Sequence, residues 1–167
     1  MADIKPFYAT EINATITLAS LATSTTLLVG RQSAEIDNRT TLNQDYLVSG
    51  KITTGTTPTT ARPIEIWVVA PLDNAAPTYL GGFGTADAAG PTLIQENKNL
   101  ICFLVASITC NATSNQQYDF GPVSIAALFG GFCPARFVFF VTQNTAVALN
   151  ATAGNHQIRL LPVYETV

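Results

Sequence analysis

Five apolar side chains follow one another at residues 137–141, FVFFV. Side chains alternate across a strand, so Phe137, Phe139 and Val141 point one way while Val138 and Phe140 point the other. A strand over residues 135–142 would therefore be apolar on both faces, whereas a strand with one solvated face alternates apolar with polar. Residues 100–108, LICFLVASI, and 64–70, IEIWVVA, share this two-sided character, with Trp67 opposed to Ile66 and Val68. Such strands are covered on both sides, either by the chain's own helix and long loops or by another subunit. The sequence leaves both open, the second at least as strongly as the first.

Other segments alternate cleanly. In residues 12–19, Ile12, Ala14, Ile16 and Leu18 interleave with Asn13, Thr15 and Thr17, and in 45–52 Tyr46, Val48 and Ile52 oppose Asp45, Ser49 and Lys51. Further strands are expected at 26–32, 146–149 and 156–164. Pro162 in the last implies an edge position, because it has no N–H to donate to a neighbour. One short helix is expected at 122–129. Pro122 suits a first helical position, Gly130 and Gly131 suit a left-handed stop, and Pro134 blocks resumption. At roughly 12 Å that helix is far too short to span a membrane.

The connectors are rich in turn residues. TTGTTPTT at 53–60 reads as a hairpin loop, 70–91 as a long Gly/Pro/Ala-rich loop, and AGN at 153–155 as a tight turn. Eight or so short strands with such turns predict an all-β, single-domain β-sandwich, jelly-roll-like, with that one short helix. Residues 1–11 form an N-terminal arm carrying Phe7 and Tyr8, and 12–167 the domain. Such an arm docks onto a neighbour or covers its own sheet end.

Composition narrows the function. Of 167 residues 47% are hydrophobic and only 11% charged, less than half the usual share. A net charge of −3 without any basic cluster gives nucleic acid no handle. The start, MADIKPFYATE, has no cationic head followed by an apolar run, so secretion is not expected. Cys102, Cys110 and Cys133 are then read as reduced, buried thiols. With one histidine and no C-x-x-C, zinc is not expected. The N-x-T matches at Asn13, Asn38, Asn111 and Asn150 are read as chance in a chain rich in Asn and Thr.

Catalytic chemistry finds little footing. A nucleophilic triad can in principle be drawn from Cys133, His156 and Asp119, but their local sequence offers no activating cation. Glu65 lies mid-strand without an identifiable partner carboxylate for glycoside chemistry, and is read as a solvated or salt-bridged strand residue. Asp37-Asn38 and Asp73-Asn74 fit Asx turns better than calcium loops. GGFG at 81–84 lacks the following Lys and helix of a phosphate loop. The chain is therefore expected to be no enzyme and to use no cofactor or metal.

Three stretches carry a resemblance: NRTTLNQDYLVSGKITTGTTPTTARPIEIWVVAPLDN (38–74), the loop PTYLGGF, and YDFGPVSIAALFGGFCPARFVFFVTQNTAVALNATAGNHQIRLLPVYETV (118–167). Together they resemble small structural proteins of tailed bacteriophages, over about the last three quarters of the chain. The closest functional class is the capsid decoration, or cement, protein, a β-domain that oligomerises on the outer shell and braces capsomers. The resemblance implies a virion protein assembled in the host cytoplasm. Its implied partners are the major capsid protein and copies of itself, first of all as a trimer, with no active site. An alternative is a tail, head-fibre or baseplate β-module binding host-surface glycan through Trp67, Tyr79 and Phe83, since sugars stack on exposed rings. The contact elements expected are Phe7 and Tyr8 on the arm, Tyr79 and Phe83 in the long loop, and Phe137 and Phe139 on the outer face of their strand.

Overall fold

A computed structural model describes residues 5–71 and 78–166. Two antiparallel sheets face each other. In the first, β1 (Lys5–Tyr8) and β2 (Ile12–Asn13) pair one after the other with the same side of β11 (Gln157–Thr166). The sheet continues through β5 (Asp45–Thr53) to β9 (Gln117–Ser124). In the second, β3 (Arg31–Gln32) and β4 (Ile36–Asp37) pair with β10 (Arg136–Gln143), followed by β6 (Arg62–Val69) and β8 (Phe103–Cys110). A short β7 (Ala88–Ala89) extends the β3 edge. With β3 and β4 counted as one interrupted strand, the orders 2-11-5-9 and 3/4-10-6-8 are those of a jelly roll, and the chain is an all-β single-domain sandwich.

The main core lies between the sheets. Ile64, Ile66 and Val68 of β6 and Phe137, Phe139 and Val141 of β10 meet Tyr46, Val48, Ile52, Ile158 and Leu160 from the opposite sheet. Every residue of β10 is buried. Its other face, Val138 and Phe140, joins Val69, Tyr79, Phe83, Leu93 and Cys102 in a second core on the outside of the second sheet. That layer comes from residues 78–102 of the same chain. Strand β10 is thus covered from within and needs no neighbouring subunit, whereas β8 leaves Phe103 and Leu104 exposed.

Several local expectations change. Residues 95–101 form a helix, α1 (Gln95–Ile101), and the strand begins only at Phe103. The two-sided apolar run at 100–108 is therefore a helix end joined to a strand, and the described residues hold two short α-helices rather than one. The second, α2, spans only Ile125–Leu128. Pro122 lies in β9, and Ser124 is the N-cap, its Oγ accepting the Ala127 N–H at 3.0 Å. The stop is as expected: Gly130 and Gly131 have φ of 75° and 99°, and the Gly131 N–H reaches the Ala126 carbonyl. Residues 53–60 cross from one sheet to the other and are not a hairpin. Regular strand ends early at Asn13, yet Ala14, Ile16 and Leu18 still face the core. Residues 26–32 contribute only Arg31–Gln32, and 146–149 no strand.

Pro162 is a correction with a clear cause. Strand β11 is internal, between β5 and the β1/β2 pair. The Pro162 carbonyl accepts the Ala9 N–H at 2.9 Å, so its donor-free nitrogen also faces that side. It sits where β1 has ended at Tyr8 and β2 has not begun. The missing donor falls opposite a gap in the neighbouring strand, which serves as well as an edge. Among the described residues no helix is long and apolar enough to cross a membrane.

Candidate interaction surface

The residues expected to make contacts divide into two sets. Phe7 and Tyr8 are exposed on β1, which hydrogen-bonds to the chain's own β11, and the Phe7 ring lies 5.0 Å from that of Tyr164. The other four are buried. Phe137 and Phe139 lie in the inter-sheet core, and Phe83 packs edge-on against Phe140 at 5.4 Å. Tyr79 is held inside by its hydroxyl, which donates to Glu35 Oε2 at 2.9 Å. Burial and the Glu35 carboxylate keep this phenol well above its ordinary pKa. Tyr79, Phe83, Phe137 and Phe139 are therefore buried away from any partner: the first two pack with Val138 and Phe140 on one face of the second sheet, and the other two face the opposite sheet.

Several charged groups are paired within the fold. Glu35 binds Arg136 Nη1 at 3.0 Å through its second oxygen. Glu65, expected to be solvated or salt-bridged, receives the buried Lys98 ammonium at 2.6 Å and the Trp67 indole N–H at 3.0 Å on Oε2. Lys98 also lies 4.6 Å over the Trp67 ring and donates to the Leu27 carbonyl. Asp87 joins Arg31 and Thr17; burial pushes its carboxyl up, but these hydrogen bonds outweigh it and hold the pKa below the ordinary value. Asp37 caps an Asx turn on the Arg39 N–H and grips the Arg39 guanidinium, which holds its pKa well below the carboxylate range. The N-x-T sites at Asn111 and Asn150 are also Asx turns, each amide oxygen accepting the N–H of the threonine two residues on. Asp73-Asn74 lies outside the described residues.

No triad assembles. Both His156 ring nitrogens are engaged: Nδ1 faces the Thr53 N–H at 3.4 Å and Nε2 the Asn150 carbonyl at 2.8 Å. Asp119 accepts from Gln117 on β9. Burial pushes the Cys133 thiol to about 12, aided by Asp45, so it is a poor nucleophile near neutral pH. An inter-sheet cleft of about 650 Å³ is lined by Glu35 and Asp37, but both carboxylates are already committed to arginines. Among the described residues no three His, Cys, Asp or Glu gather as a metal would require.

A second concavity has a different character. Where α1, β8, α2 and the turn before β10 converge, Leu80, Leu100, Phe103, Phe129 and Phe132 line an apolar groove of about 430 Å³. Leu100 lies in the last turn of α1, and its neighbour Ile101 packs on the outer core. Phe103 opens β8 and stacks on Phe129 at 4.6 Å. Phe132 follows the Gly130-Gly131 stop, which turns the chain outward. The exposures are large: 80% for Phe132, 78% for Leu100, 43% for Leu80 and 39% for Phe103. Sequence reading placed Leu100 inside a strand and left Phe132 between its glycines and Cys133. Only the helix boundary and the glycine turn reveal that both face solvent. The chain matches no protein-family model and no curated protein.

Proposed function

We propose that the chain is a non-enzymatic structural protein of a tailed-phage virion, most closely a capsid decoration protein. In this reading it assembles in the host cytoplasm, associates with copies of itself, first of all as a trimer, and braces the major capsid protein on the outer shell. The observation that carries the reading is the exposed apolar groove on a sandwich that holds two ion pairs, Lys98–Glu65 and Arg136–Glu35, largely buried. A protein that works by contact needs desolvatable surface and shape, not perturbed nucleophiles. The charge-poor composition and the resemblance over residues 38–74 and 118–167 support the same reading. The glycan alternative loses its aromatic platform, since Tyr79 and Phe83 are buried and Trp67 lies beneath Lys98.

The test is co-sedimentation of the purified protein with emptied shells of a tailed phage that carries this sequence. Saturable binding at a fixed ratio to the major capsid protein supports decoration. Absence of binding at micromolar concentrations rejects it.

A further inference from the structure

We propose that His156 is a pH-operated latch for one end of the sandwich: protonation of its ring releases the four loops that meet there while both sheets stay folded. The proposal is independent of the functional reading above. Three observations carry it.

The first is a hub of hydrogen bonds. The Asn150 carbonyl accepts from His156 Nε2 at 2.8 Å and from the Ser20 N–H at 3.2 Å. The Asn150 N–H donates to the Thr53 carbonyl at 3.2 Å, and its side-chain nitrogen donates to Asn115 Oδ1 at 2.9 Å. Its side-chain oxygen accepts the Thr152 N–H and Asn155 Nδ2. The Thr53 N–H in turn meets His156 Nδ1 at 3.4 Å. Residues 18–21, 53–57, 111–116 and 148–156, distant in sequence, are thereby tied at one place. Leu149 is anchored in the core, but residues 151–154 are all exposed. Beyond Leu149, polar bonds rather than apolar packing hold this last loop.

The second is the ring's bonding. One nitrogen faces an N–H donor and the other a carbonyl acceptor, which suits a neutral ring protonated on Nε2. An imidazolium carries a hydrogen on both nitrogens, so its Nδ1–H would confront the Thr53 N–H. Thr53 is 4% exposed and His156 8%, so neither donor has water to turn to. Outward movement of residues 150–156 would bring both into solvent. Burial already holds the ring's pKa below 6.5 in the closed arrangement. The closed end resists a proton that an open end accepts, so acid below that value favours opening until the lowered pKa is reached.

The third is isolation. Residues 12–30, 52–61, 99–118 and 137–158 include all four loops and contain no Asp, Glu, Lys or Arg. His156 is the one side chain there with an ordinary pKa between pH 5 and 8. The flanking strands bring Lys51 on β5, Arg159 on β11 and Asp119 on β9. The Lys51 charge opposes protonation of the ring. Arg159 is held by Gln157 and Glu11, and Asp119 accepts from Gln117. Among the described residues no carboxylate bonds to the ring, so an imidazolium formed in place would have no counter-ion.

Amide hydrogen exchange, read by mass spectrometry at pH 7, 6 and 5 and corrected for the intrinsic rate at each pH, tests the latch. Peptides from the four loops are expected to lose protection on acidification, by at most about tenfold per pH unit. Peptides from β6 and β10 should keep theirs. In His156→Gln, whose amide can make both contacts without titrating, the loops should respond little to pH. In the wild type, the His156 ring titration followed by NMR should share its midpoint with the loss of loop protection, which keeps the test valid if the variant folds poorly. Loops as well protected at pH 5 as at pH 7 overturn the proposal, as does an equal loss across loops and both sheets. An acid response that persists in folded His156→Gln, or that has a different midpoint from the ring, also overturns it.

Discussion

Lys98 Nζ lies 2.6 Å from Glu65 Oε2, with the lysine side chain only 2% exposed. This pair ties α1 to β6 and so clamps the outer layer onto the second sheet. Removing one member leaves the other charge buried without a counter-ion, which costs about 3–5 kcal/mol. Lys98→Met and Glu65→Gln are each expected to destabilise on that scale in denaturant unfolding. The double variant should lose clearly less than the two losses combined, giving a coupling energy in the double-mutant cycle.

The only histidine supplies a clean pH signature. His156 accepts from the Thr53 N–H through Nδ1, which places the proton on Nε2, where it donates to the Asn150 carbonyl. Burial lowers its pKa from the ordinary 6.5, with the nearby Lys51 charge adding to the effect, and the Asn150 contact only partly opposes it. Below about pH 6.5 the unfolded chain takes up a proton that the folded chain resists, so stability falls as pH drops below that value. Unfolding midpoints should decline from pH 7 toward pH 5. In His156→Gln that decline should be markedly shallower.

Thiol chemistry should be slow. Burial raises Cys102 to about 11 and Cys133 to about 12, and Cys110 donates its S–H to the Thr59 carbonyl at 3.1 Å. Iodoacetamide at pH 7.5 is expected to label the native chain many times more slowly than the unfolded chain, as counted by intact mass. Rapid single-site labelling of native protein would point to an activated cysteine.

Gly30, just before β3, leaves no room for a side chain against β10. A Cβ there would lie 2.1 Å from the Val141 carbonyl oxygen. Gly30→Ala must push β3 away from β10, and overpacking of this kind costs about 1–3 kcal/mol. The loss should appear as a lower denaturation midpoint. Gly154→Ala, where no atom lies within 4 Å of the added carbon, should change the midpoint little.

The sandwich was legible because its central strands obey simple rules. The period-2 alternation of residues 45–52 and the apolar run at 137–141 correspond to β5 and β10. The tight turn at 153–155 is a short 3-10 turn. What misled was apolarity without periodicity. Residues 100–108 are equally apolar on either side of Cys102, so nothing local separates the end of α1 from the start of β8. Pro122 fits a helix start by its fixed φ, but Ser124 owns the cap because Asp45 on β5 captures the Ala126 N–H at 2.8 Å, a contact 81 residues away in sequence.

The contact surface was less legible. Aromatic residues in a Gly-rich loop, Tyr79 and Phe83, look exposed by composition. Their burial depends on Glu35 and Phe140, which only the tertiary fold brings near. Leu100 and Phe132 look buried by type, and their exposure depends on where one helix stops and one glycine pair turns.

The central claim is that this sandwich is a shell-bracing structural protein. Electron cryo-microscopy of emptied shells, with and without added protein, tests it most directly. The account expects ordered extra density repeating on the outer shell lattice, into which the two-sheet fold can be placed. Shells identical in the two maps, or density confined to the tail, would contradict it.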